Sequence, residues 1–308
     1  MYGRVKYFMK IESISQIIEL VKNEHKSKTI AVAAAEDDVV LKAVQKAKEI
    51  DLCNFILYGD KVKIQQISEE IGLDTTNIEI RNASTPLEAA KRAIQAVANG
   101  EADLPMKGKL TTSEILSVYL KDEYGLKTGK TMNLVCAFEI PRYHKLLIIS
   151  DAGMVIAPTL EQKVDIINNA VSVAHKLGVE TPKVAVVGAL EQVNPKMPAT
   201  VEAAILAQMY RRGQIKGCIV DGPFAMDNAI SKEAAIHKGI NSKVAGDADI
   251  LIMPDIEAGN ILYKTLVYFA DAKLASSIVG GKKPVVLTSR ADSDESKLNA
   301  MAFSILMS

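Results

Sequence analysis

Short apolar segments of this sequence are repeatedly followed by polar residues of the types that bind a small charged ligand. In chain order these residues are Lys107 and Gly108 with Thr112 after them, Asp151, Asp221 and Gly222, Asn260, and Ser289 and Arg290. Lysine, arginine, serine and asparagine side chains can donate hydrogen bonds to an anion, and the first two also neutralise its charge. Taken singly, each segment is more often a turn or a helix cap. Taken together, they predict a cleft that binds a charged small molecule.

Several well-known catalytic patterns are absent from the sequence. It contains neither a G-x-G-x-x-G segment for a dinucleotide nor a G-x-S-x-G segment for a serine nucleophile. The segment from Gly125 to Thr131 has three residues between its glycines, where a phosphate-binding P-loop has four. It therefore predicts a flexible basic loop, in which Lys127 and Lys130 could bind an anion. Four scattered histidines and three cysteines without a neighbouring histidine predict neither a metal site nor a cysteine nucleophile.

Apolar segments that are typical of buried strands alternate with amphipathic helical segments along almost the whole chain. The predicted strands are 29–35, 54–58, 78–81, 146–150, 183–187, 218–221, 250–253 and 285–287. The predicted helices are 13–22, 37–50, 84–99, 112–120, 160–177, 200–211, 231–238, 260–269 and 292–307. This alternation predicts βαβ units and mostly parallel sheets. Ligands bind at the carboxyl ends of the strands in such sheets, which is where the polar residues fall.

The charged, glycine-containing segment 121–131 is the one clear interruption of this alternation. We interpret it as the crossing between two α/β domains with a cleft between them. The last helix follows the final strand after a short turn and could return to the first domain. The predicted first domain is therefore 1–130 together with 291–308, and the predicted second domain is 131–290.

Composition limits the class of protein. The 308 residues are 48% hydrophobic and 24% charged, as in a folded globular protein and unlike a disordered one. Lysine and arginine number 37, as do aspartate and glutamate, so no basic excess favours nucleic-acid binding. We recognise no export signal and no apolar segment long enough to span a bilayer. An odd number of widely spaced cysteines fits a reducing compartment, so we expect a cytoplasmic protein that contacts neither membrane nor nucleic acid.

Four motifs occur in an order that resembles the phosphate acetyltransferase and butyryltransferase family. They are Asp221-Gly-Pro-Phe-Ala-Met-Asp227-Asn228-Ala229, Val244-Ala-Gly-Asp-Ala-Asp249, Pro254-Asp-Ile-Glu-Ala-Gly-Asn260-Ile-Leu-Tyr263-Lys264 and Thr288-Ser289-Arg290. Met106-Lys107-Gly108 belongs to the same pattern. The segment from Asp151 to Pro158 and the Gly-Pro-Phe at 222–224 resemble the butyryltransferase branch in particular. The resemblance runs from about residue 30 to the C-terminus, and the first ten residues look like an extension.

This resemblance implies a fold and a reaction. The fold would be like that of isocitrate and isopropylmalate dehydrogenases, with two α/β domains and a dimer or larger homo-oligomer. The reaction would be the reversible conversion of acyl-CoA and phosphate into acyl phosphate and CoA, with butyryl preferred. CoA, phosphate and acyl phosphate would be substrates, and no metal, nicotinamide or permanently bound cofactor would take part. We expect direct attack within a ternary complex, without an acyl-enzyme.

The resemblance also suggests a role for each candidate residue. Arg290 would bind phosphate, and Ser289 would hydrogen-bond to the developing oxyanion or the CoA sulfur. Asn260 would donate a hydrogen bond to the acyl carbonyl oxygen. Lys107 and Lys264 would neutralise charge. The remaining expected substrate-binding residues are Gly108, Thr112, Lys130, Asp151, Asp221, Gly222 and Tyr263.

One position departs from the family pattern. Acetyl-specific relatives carry an aspartate seven positions after the serine, where this chain has Ser296. Asp292, Asp294 or Glu295 could replace it as general base only if the helix turned one of them inward. Otherwise the three acids simply favour a helix N-terminus.

Other functions fit parts of the sequence. They are a phosphate acetyltransferase, an acyl-carrier-protein phosphate acyltransferase, a metal-dependent decarboxylating dehydrogenase and a two-lobed solute-binding protein. The carrier-protein enzyme would need a basic docking patch, and the dehydrogenase would need more arginines for a tricarboxylate. The binding protein would normally be exported.

Overall fold

A computed structural model describes residues 10–24, 27–288 and 293–308 of the chain. The described residues form two compact units. The central unit contains residues 10–14 and Asn133–Lys273. The terminal unit contains the described residues of Ser15–Met132 and Leu274–Ser308, so it combines one segment from each half of the chain.

The described elements alternate as an α/β protein requires. The strands are β1 (Thr29–Ala33), β2 (Asn54–Gly59), β3 (Glu79–Asn82), β4 (Leu104–Lys107), β5 (Asn133–Glu139), β6 (Leu147–Ser150), β7 (Lys183–Val187), β8 (Ile219–Phe224), β9 (Ile250–Ile252) and β10 (Lys273–Val279). The helices are α1 (Ile14–Glu24), α2 (Asp38–Glu49), α3 (Lys61–Ile71), α4 (Pro86–Ala98), α5 (Thr112–Tyr119), α6 (Leu160–Lys176), α7 (Pro198–Arg211), α8 (Met226–Ile230), α9 (Lys232–His237), α10 (Ile256–Phe269) and α11 (Asp294–Met307). A short 3₁₀ helix spans Asp122–Tyr124.

The terminal unit contains a parallel sheet in the order β3-β2-β1-β4. Beyond β4, Val286 forms a parallel bridge with Met106, and the N–H of Val286 donates to the carbonyl oxygen of Pro105. The 285–288 segment therefore ends at the same edge of the sheet as strands β1 and β4. Helix α11 then packs against α2.

In the central unit, five strands run in the order β5-β6-β9-β7-β8. Strands β6, β9, β7 and β8 are parallel, and β5 is antiparallel to β6. The core consists of continuous apolar strands, such as Val184 to Val187, that are covered by helices. The carboxyl ends of the four parallel strands therefore lie at one edge of this sheet.

Side-chain caps fix where several helices begin. Asp37 accepts from the N–H of Val40 at the start of α2, and Asp255 accepts from the N–H of Ala258 at the start of α10. Thr111 and Thr159 form capping boxes at the starts of α5 and α6. These caps satisfy N–H groups that have no partner within the helix, and they set the first helical residue beside each strand end.

The α/β class with mostly parallel sheets is as predicted, and each predicted helix has a counterpart. The boundaries differ in two functional segments. Strand β8 was expected to end at Asp221, but it continues to Phe224, which pairs with Val187. Helix α10 begins at Ile256 and not at Asn260, because Asp255 caps it one turn earlier. Asp221 and Gly222 therefore lie within a strand, and Asn260 lies inside a helix.

The predicted domains, 1–130 with 291–308 and 131–290, stay a prediction. The compact units put the described residues 274–288 with the terminal unit, because Val286 bonds to β4 there. No helix in the described part of the chain is both long and apolar enough to cross a membrane.

Candidate functional site

Three strand-end residues meet in a small pocket of the terminal unit. Lys107 and Gly108 at the end of β4 lie beside Thr288, which follows the bridged 285–286 segment. The pocket has a volume of about 80 Å³, and its remaining described lining residues are Asp37, Val39, Val40 and Lys297. The N-terminus of α2 and the second turn of α11 thus complete a site whose sheet edge was predicted from the sequence.

Lys107 is held under the surface of this pocket. Only 8% of the residue is exposed, and its Nζ donates to the carbonyl oxygens of Leu110 at 3.1 Å and Gly108 at 3.3 Å. A Cβ at position 108 would lie 2.2 Å from the carbonyl oxygen of Ala34. The chain can therefore cross the end of β1 at this point only because residue 108 is glycine.

Lys297 and Asp37 were not among the predicted site residues. Lys297 lies in α11 and is 2% exposed, so its ammonium group is enclosed by the protein. Asp37 Oδ1 accepts from the N–H of Val40 at 3.1 Å. No feature of the sequence singles out Lys297, because a lysine in a helix is normally exposed.

In the central unit, Asp151 organises the loop after β6. Its Oδ1 accepts from the N–H groups of Leu134, Gly153 and Met154, and its Oδ2 accepts from that of Val155 at 2.8 Å. Burial raises the pKa of Asp151 above its ordinary value, although these backbone hydrogen bonds favour the carboxylate. The side chain thus shapes the 151–155 loop.

Helix α10 lies against this loop. Asn260 donates from Nδ2 to the carbonyl oxygen of Ala152 at 3.2 Å. Gly259 permits the approach, since a Cβ there would lie 2.2 Å from the carbonyl oxygen of Asp151. The end of β6 and the first turns of α10 are therefore one packed substructure.

Tyr263 of α10 lies beside a cationic group. The ring of Tyr263 packs edge-to-face on Phe138 with centroids 5.8 Å apart. Lys264 Nζ lies 4.7 Å from the centroid of the Tyr263 ring, which suits a cation–π contact. The structure therefore brings Asp151, Asn260, Tyr263 and Lys264 into one neighbourhood.

Asp221 and Gly222 do not join this group. They lie in β8, which β7 and β9 separate from β6, a distance of roughly 14 Å across three strand spacings. Asp221 Oδ1 is 3.5 Å from Arg211 Nη2. Gly222 packs against β7, because a Cβ at this position would lie 2.8 Å from the carbonyl oxygen of Val186.

Thr112 and Lys130 are not among the described lining residues of the terminal-unit pocket. Thr112 is the first residue of α5, after the cap residue Thr111. Lys130 belongs to an exposed loop in which its N–H donates to Thr128 Oγ1 at 3.2 Å. Lys127 of the same loop pairs with Asp122, as a basic surface loop would.

Ser289 and Arg290, the expected catalytic residues, lie outside the described residues, as does Asp292. Ser296 helps to begin α11, where its N–H donates to Ser293 Oγ at 3.1 Å. Asp294 pairs with Lys46 of α2 at 3.1 Å. Both residues thus have local contacts at the start of α11, as a helix N-terminus favours.

The cysteines lack the surroundings of a nucleophile. Cys53, Cys136 and Cys218 are buried. Burial raises the pKa of Cys53 above its ordinary range and that of Cys218 to about 11, so these two thiols are protonated at neutral pH. The part of the chain that the structure describes contains no group of three His, Cys, Asp or Glu residues placed to hold a metal ion.

Comparison with known proteins agrees with this organisation. This chain is 56% identical to a phosphate acetyltransferase of Thermotoga maritima, over 94% of this chain and 98% of that relative. It is 48% identical to a phosphate butyryltransferase of Clostridium acetobutylicum over 96% of this chain and 98% of the relative. The crystal structure of a branched-chain phosphotransacylase from Enterococcus faecalis V583 matches with a TM-score of 0.80 and 35% identity, over 91% of this chain and 98% of the other.

The solved structure confirms the predicted α/β fold class. The sequence model of the phosphate acetyl/butaryl transferase family matches residues 13–92 and 85–305, which include every candidate residue named above. The resemblance in the strand-end motifs is thereby confirmed, and the chain belongs to the phosphate acetyl/butaryl transferase family.

Proposed function

We propose that this acyltransferase moves a short-chain acyl group reversibly between CoA and phosphate, with butyryl preferred. Butyryl-CoA and phosphate would give butyryl phosphate and CoA. The observation that carries the proposal is the family match from residue 13 to residue 305, which includes the strand-end residues of both units. The preference for butyryl rests on Gly-Pro-Phe at 222–224, on the segment from Asp151 to Pro158, and on the name of the relative from Clostridium acetobutylicum.

The proposed chemistry is direct attack within a ternary complex. A thiolate or phosphate oxygen attacks the acyl carbon, and the electron pair leaves with the other group. Cationic side chains such as Lys107 and Lys264 stabilise the charge that develops, and Asn260 donates to the acyl carbonyl. Holding both substrates together supplies much of the rate acceleration through proximity. The protonated, buried thiols of Cys53 and Cys218 support a route without an acyl-cysteine.

Ser289 and Arg290 keep their proposed roles toward the oxyanion or sulfur and toward phosphate. The structure supports a revised role for Asp151, which shapes the 151–155 loop that Asn260 contacts. We place Asp221 and Gly222 further from the reacting atoms, because two strands lie between β8 and β6. Thr112 and Lys130 stay proposed substrate contacts.

CoA and phosphate are substrates in this proposal, and no cofactor is bound permanently. We place the enzyme in the cytoplasm, where acyl-CoA is available. We also propose at least a homodimer, because α10 exposes several large apolar side chains.

A phosphate acetyltransferase is the second candidate. The relative from Thermotoga maritima bears that name and is 56% identical to this chain. The two candidates catalyse the same type of reaction and differ in the apolar surface that contacts the acyl chain. Each methylene that finds an apolar wall contributes about 1–3 kcal/mol to kcat/KM discrimination. The family match disfavours a decarboxylating dehydrogenase and a solute-binding protein, and acyl-carrier protein can be tested as an alternative acyl donor.

Phosphate-dependent release of CoA is the test. The enzyme is mixed with acetyl-, propionyl-, butyryl-, isobutyryl- and valeryl-CoA, with and without phosphate, and free thiol is measured with a colorimetric reagent. We expect release only with phosphate, and kcat/KM at least tenfold higher for butyryl-CoA than for acetyl-CoA. Equal or greater turnover of acetyl-CoA would favour the second candidate. Turnover of acyl-carrier protein, but of no acyl-CoA, would contradict both.

A further inference from the structure

Buried polar side chains form a hydrogen-bonded network beneath the 151–155 loop of the central unit. Asn133 is the first residue of β5, Ser150 is the last residue of β6, and both are 0% exposed. Asn133 Nδ2 donates to Ser150 Oγ at 2.7 Å, and Asn169 Nδ2 of α6 donates to Asn133 Oδ1 at 2.6 Å. Polar side chains destabilise an apolar core unless each finds a hydrogen-bond partner, so their presence between two buried strands needs an explanation.

The direction of these hydrogen bonds is fixed by a backbone carbonyl. Ser150 Oγ donates to the carbonyl oxygen of Leu134 at 3.0 Å, and a carbonyl oxygen can only accept. Because a hydroxyl group has a single hydrogen atom, Ser150 Oγ must accept from Asn133. The Asn133 amide is thereby oriented with its nitrogen toward Ser150 and its oxygen toward Asn169. A network with every hydrogen bond satisfied in this way is rigid, and it connects α6, β5 and β6.

The network is joined directly to Asp151. Ser150 precedes Asp151 in the chain, and the N–H of Leu134, the neighbour of Asn133, donates to Asp151 Oδ1 at 3.3 Å. The carbonyl oxygen of Ser150 accepts from the N–H of Met253 at 2.8 Å, so the end of β9 holds the same residue. The position of Asp151 is therefore set by buried groups before its carboxylate orders the loop.

The loop that follows lies along the first turn of α10. The carbonyl oxygen of Ala152 accepts from Asn260 Nδ2 at 3.2 Å, and that of Ile156 accepts from the N–H of Ile256 at 3.0 Å. These two contacts are about 6 Å apart along the helix, since four residues separate them. An amide nitrogen carries a second N–H, which can donate to an acyl carbonyl oxygen. The position of the Ala152 carbonyl therefore decides where that second N–H of Asn260 points.

We propose that Asn133 and Ser150 are positioning residues of the acyl-transfer reaction. They hold the segment from Asp151 to Ala152 in place, and the Ala152 carbonyl orients the Asn260 amide toward the acyl carbonyl oxygen. Both act through Asn260 and not by contact with the substrate. The inference rests on the proposed function, in which Asn260 donates to the acyl carbonyl.

A double-mutant cycle between Asn133 and Asn260 tests the proposal. Asn133→Ala, Asn260→Ala and the double variant are compared with the wild type in phosphate-dependent release of CoA from butyryl-CoA, at a temperature well below each Tm. Asn260→Ala should lower kcat about 100-fold, as loss of one oxyanion donor does. Asn133→Ala should lower kcat about 10- to 100-fold, because a catalytic group displaced by about 1 Å loses that much, while both KM values stay within about threefold. The double variant should stay within about threefold of Asn260→Ala, because the network then has no amide to position.

Tyr143→Phe is the matched control. The Tyr143 hydroxyl donates to the carbonyl oxygen of Ala248 at 2.7 Å, so this variant loses a hydrogen bond of the same unit at the amino ends of β6 and β9. It should lower Tm and leave kcat unchanged. If Asn133→Ala does not fold, Ser150→Ala, which removes a single oxygen atom, takes its place in the same cycle.

A purely structural role for the network gives different results. Losses in kcat that multiply in the double variant, or a wild-type kcat in a folded Asn133→Ala enzyme, would show that the network stabilises the fold without positioning Asn260. A wild-type kcat in Asn260→Ala would overturn the proposal as well, because its amide would then have no part in the reaction. A wild type that releases no CoA from any acyl-CoA is a distinct result, which contradicts the proposed function and the inference with it.

Discussion

The three cysteine side chains are packed as apolar groups. All three are buried, and for Cys53 and Cys218 burial raises the pKa well above neutral pH. A thiol that stays protonated is a poor nucleophile, because the thiolate is the reactive form.

Replacing Cys53, Cys136 and Cys218 together with alanine should therefore leave kcat within about threefold of the wild type. The fold should persist with some loss of stability, because each substitution leaves a small void. Steady-state CoA release and circular dichroism on the same sample test this expectation. A folded triple variant without turnover, or an acyl-enzyme trapped in the wild type, would show that a cysteine takes part in the reaction.

Arg290 follows Thr288, a lining residue of the pocket in the terminal unit, by two positions. Arg290→Lys should fold and lose about 30- to 1000-fold in kcat/KM for phosphate, since an ammonium group cannot make the paired contacts of a guanidinium. Binding of CoA alone should change by no more than a few-fold.

Arg92→Lys provides the comparison, because Arg92 forms an exposed i,i+4 pair with Glu88 at 2.9 Å. Such surface pairs contribute little. Near-native phosphate kinetics in a folded Arg290→Lys enzyme would mean that Arg290 does not bind the phosphate.

Single residues also show the limits of sequence interpretation. Lys107 was predicted because it ends an apolar segment, and it lines a pocket of the terminal unit, while its role in substrate binding stays a prediction. Asp151 was predicted on the same basis, but four backbone N–H groups surround its carboxylate, a result of loop geometry. Lys297 gave no signal, because a lysine in a helix is normally exposed and its burial depends on how α11 packs against α2.

At the scale of elements, ion pairs connect the amino ends of β6, β7 and β9. Lys145 Nζ lies 3.0 Å from Asp247 and 2.7 Å from Asp249. Lys183 and His144 also pair with Asp247. Partial burial of Asp247 opposes its ionisation, but the hydrogen bonds from these cationic groups outweigh it and hold the pKa well below its ordinary value.

A carboxyl with a depressed pKa in the folded state stabilises the fold above its unfolded pKa of about 3.9 and loses that effect as pH falls below it. Asp247→Asn should thus lower the free energy of unfolding by about 1–3 kcal/mol at pH 7. The difference from the wild type should shrink as pH falls from about 4.

Urea unfolding at pH 7 and pH 3 measures both effects. Asp122→Asn is the control, since Asp122 pairs with Lys127 on the surface with 93% of its side chain exposed. It should leave stability nearly unchanged at either pH. An Asp247→Asn difference that is equal at both pH values would contradict the proposed ionisation.

Elements differ in how well their sequence predicts them. Strands such as β2 and β7 were predicted because they are short, continuous apolar runs. Strand β4 was not assigned as a strand, because Pro105 lacks an N–H and lowers strand propensity. Strand β10 was missed as well, because its two serines look like a turn. In the fold they are buried, and Ser277 Oγ accepts from Ser304 Oγ of α11 at 2.9 Å.

At the scale of the whole molecule, α10 has an apolar surface without a partner in the described chain. Ile261, Tyr268 and Phe269 are 67%, 63% and 87% exposed. Ile261 and Tyr268 are seven positions apart and therefore lie on one face of the helix. Exposed aromatic and aliphatic side chains clustered on one element are typical of a protein interface.

We therefore expect the wild type to sediment as a dimer or larger oligomer and Ile261→Lys with Phe269→Glu to dissociate it toward monomers. Burying two charges without partners in an apolar interface is costly, whereas a monomer leaves them in water. Val62→Glu, a change at an equally exposed apolar residue of α3 in the terminal unit, should keep the wild-type oligomer. Sedimentation velocity over a concentration series measures all three proteins. A monomeric wild type, or a double variant that keeps the wild-type sedimentation coefficient, would remove α10 as the interface.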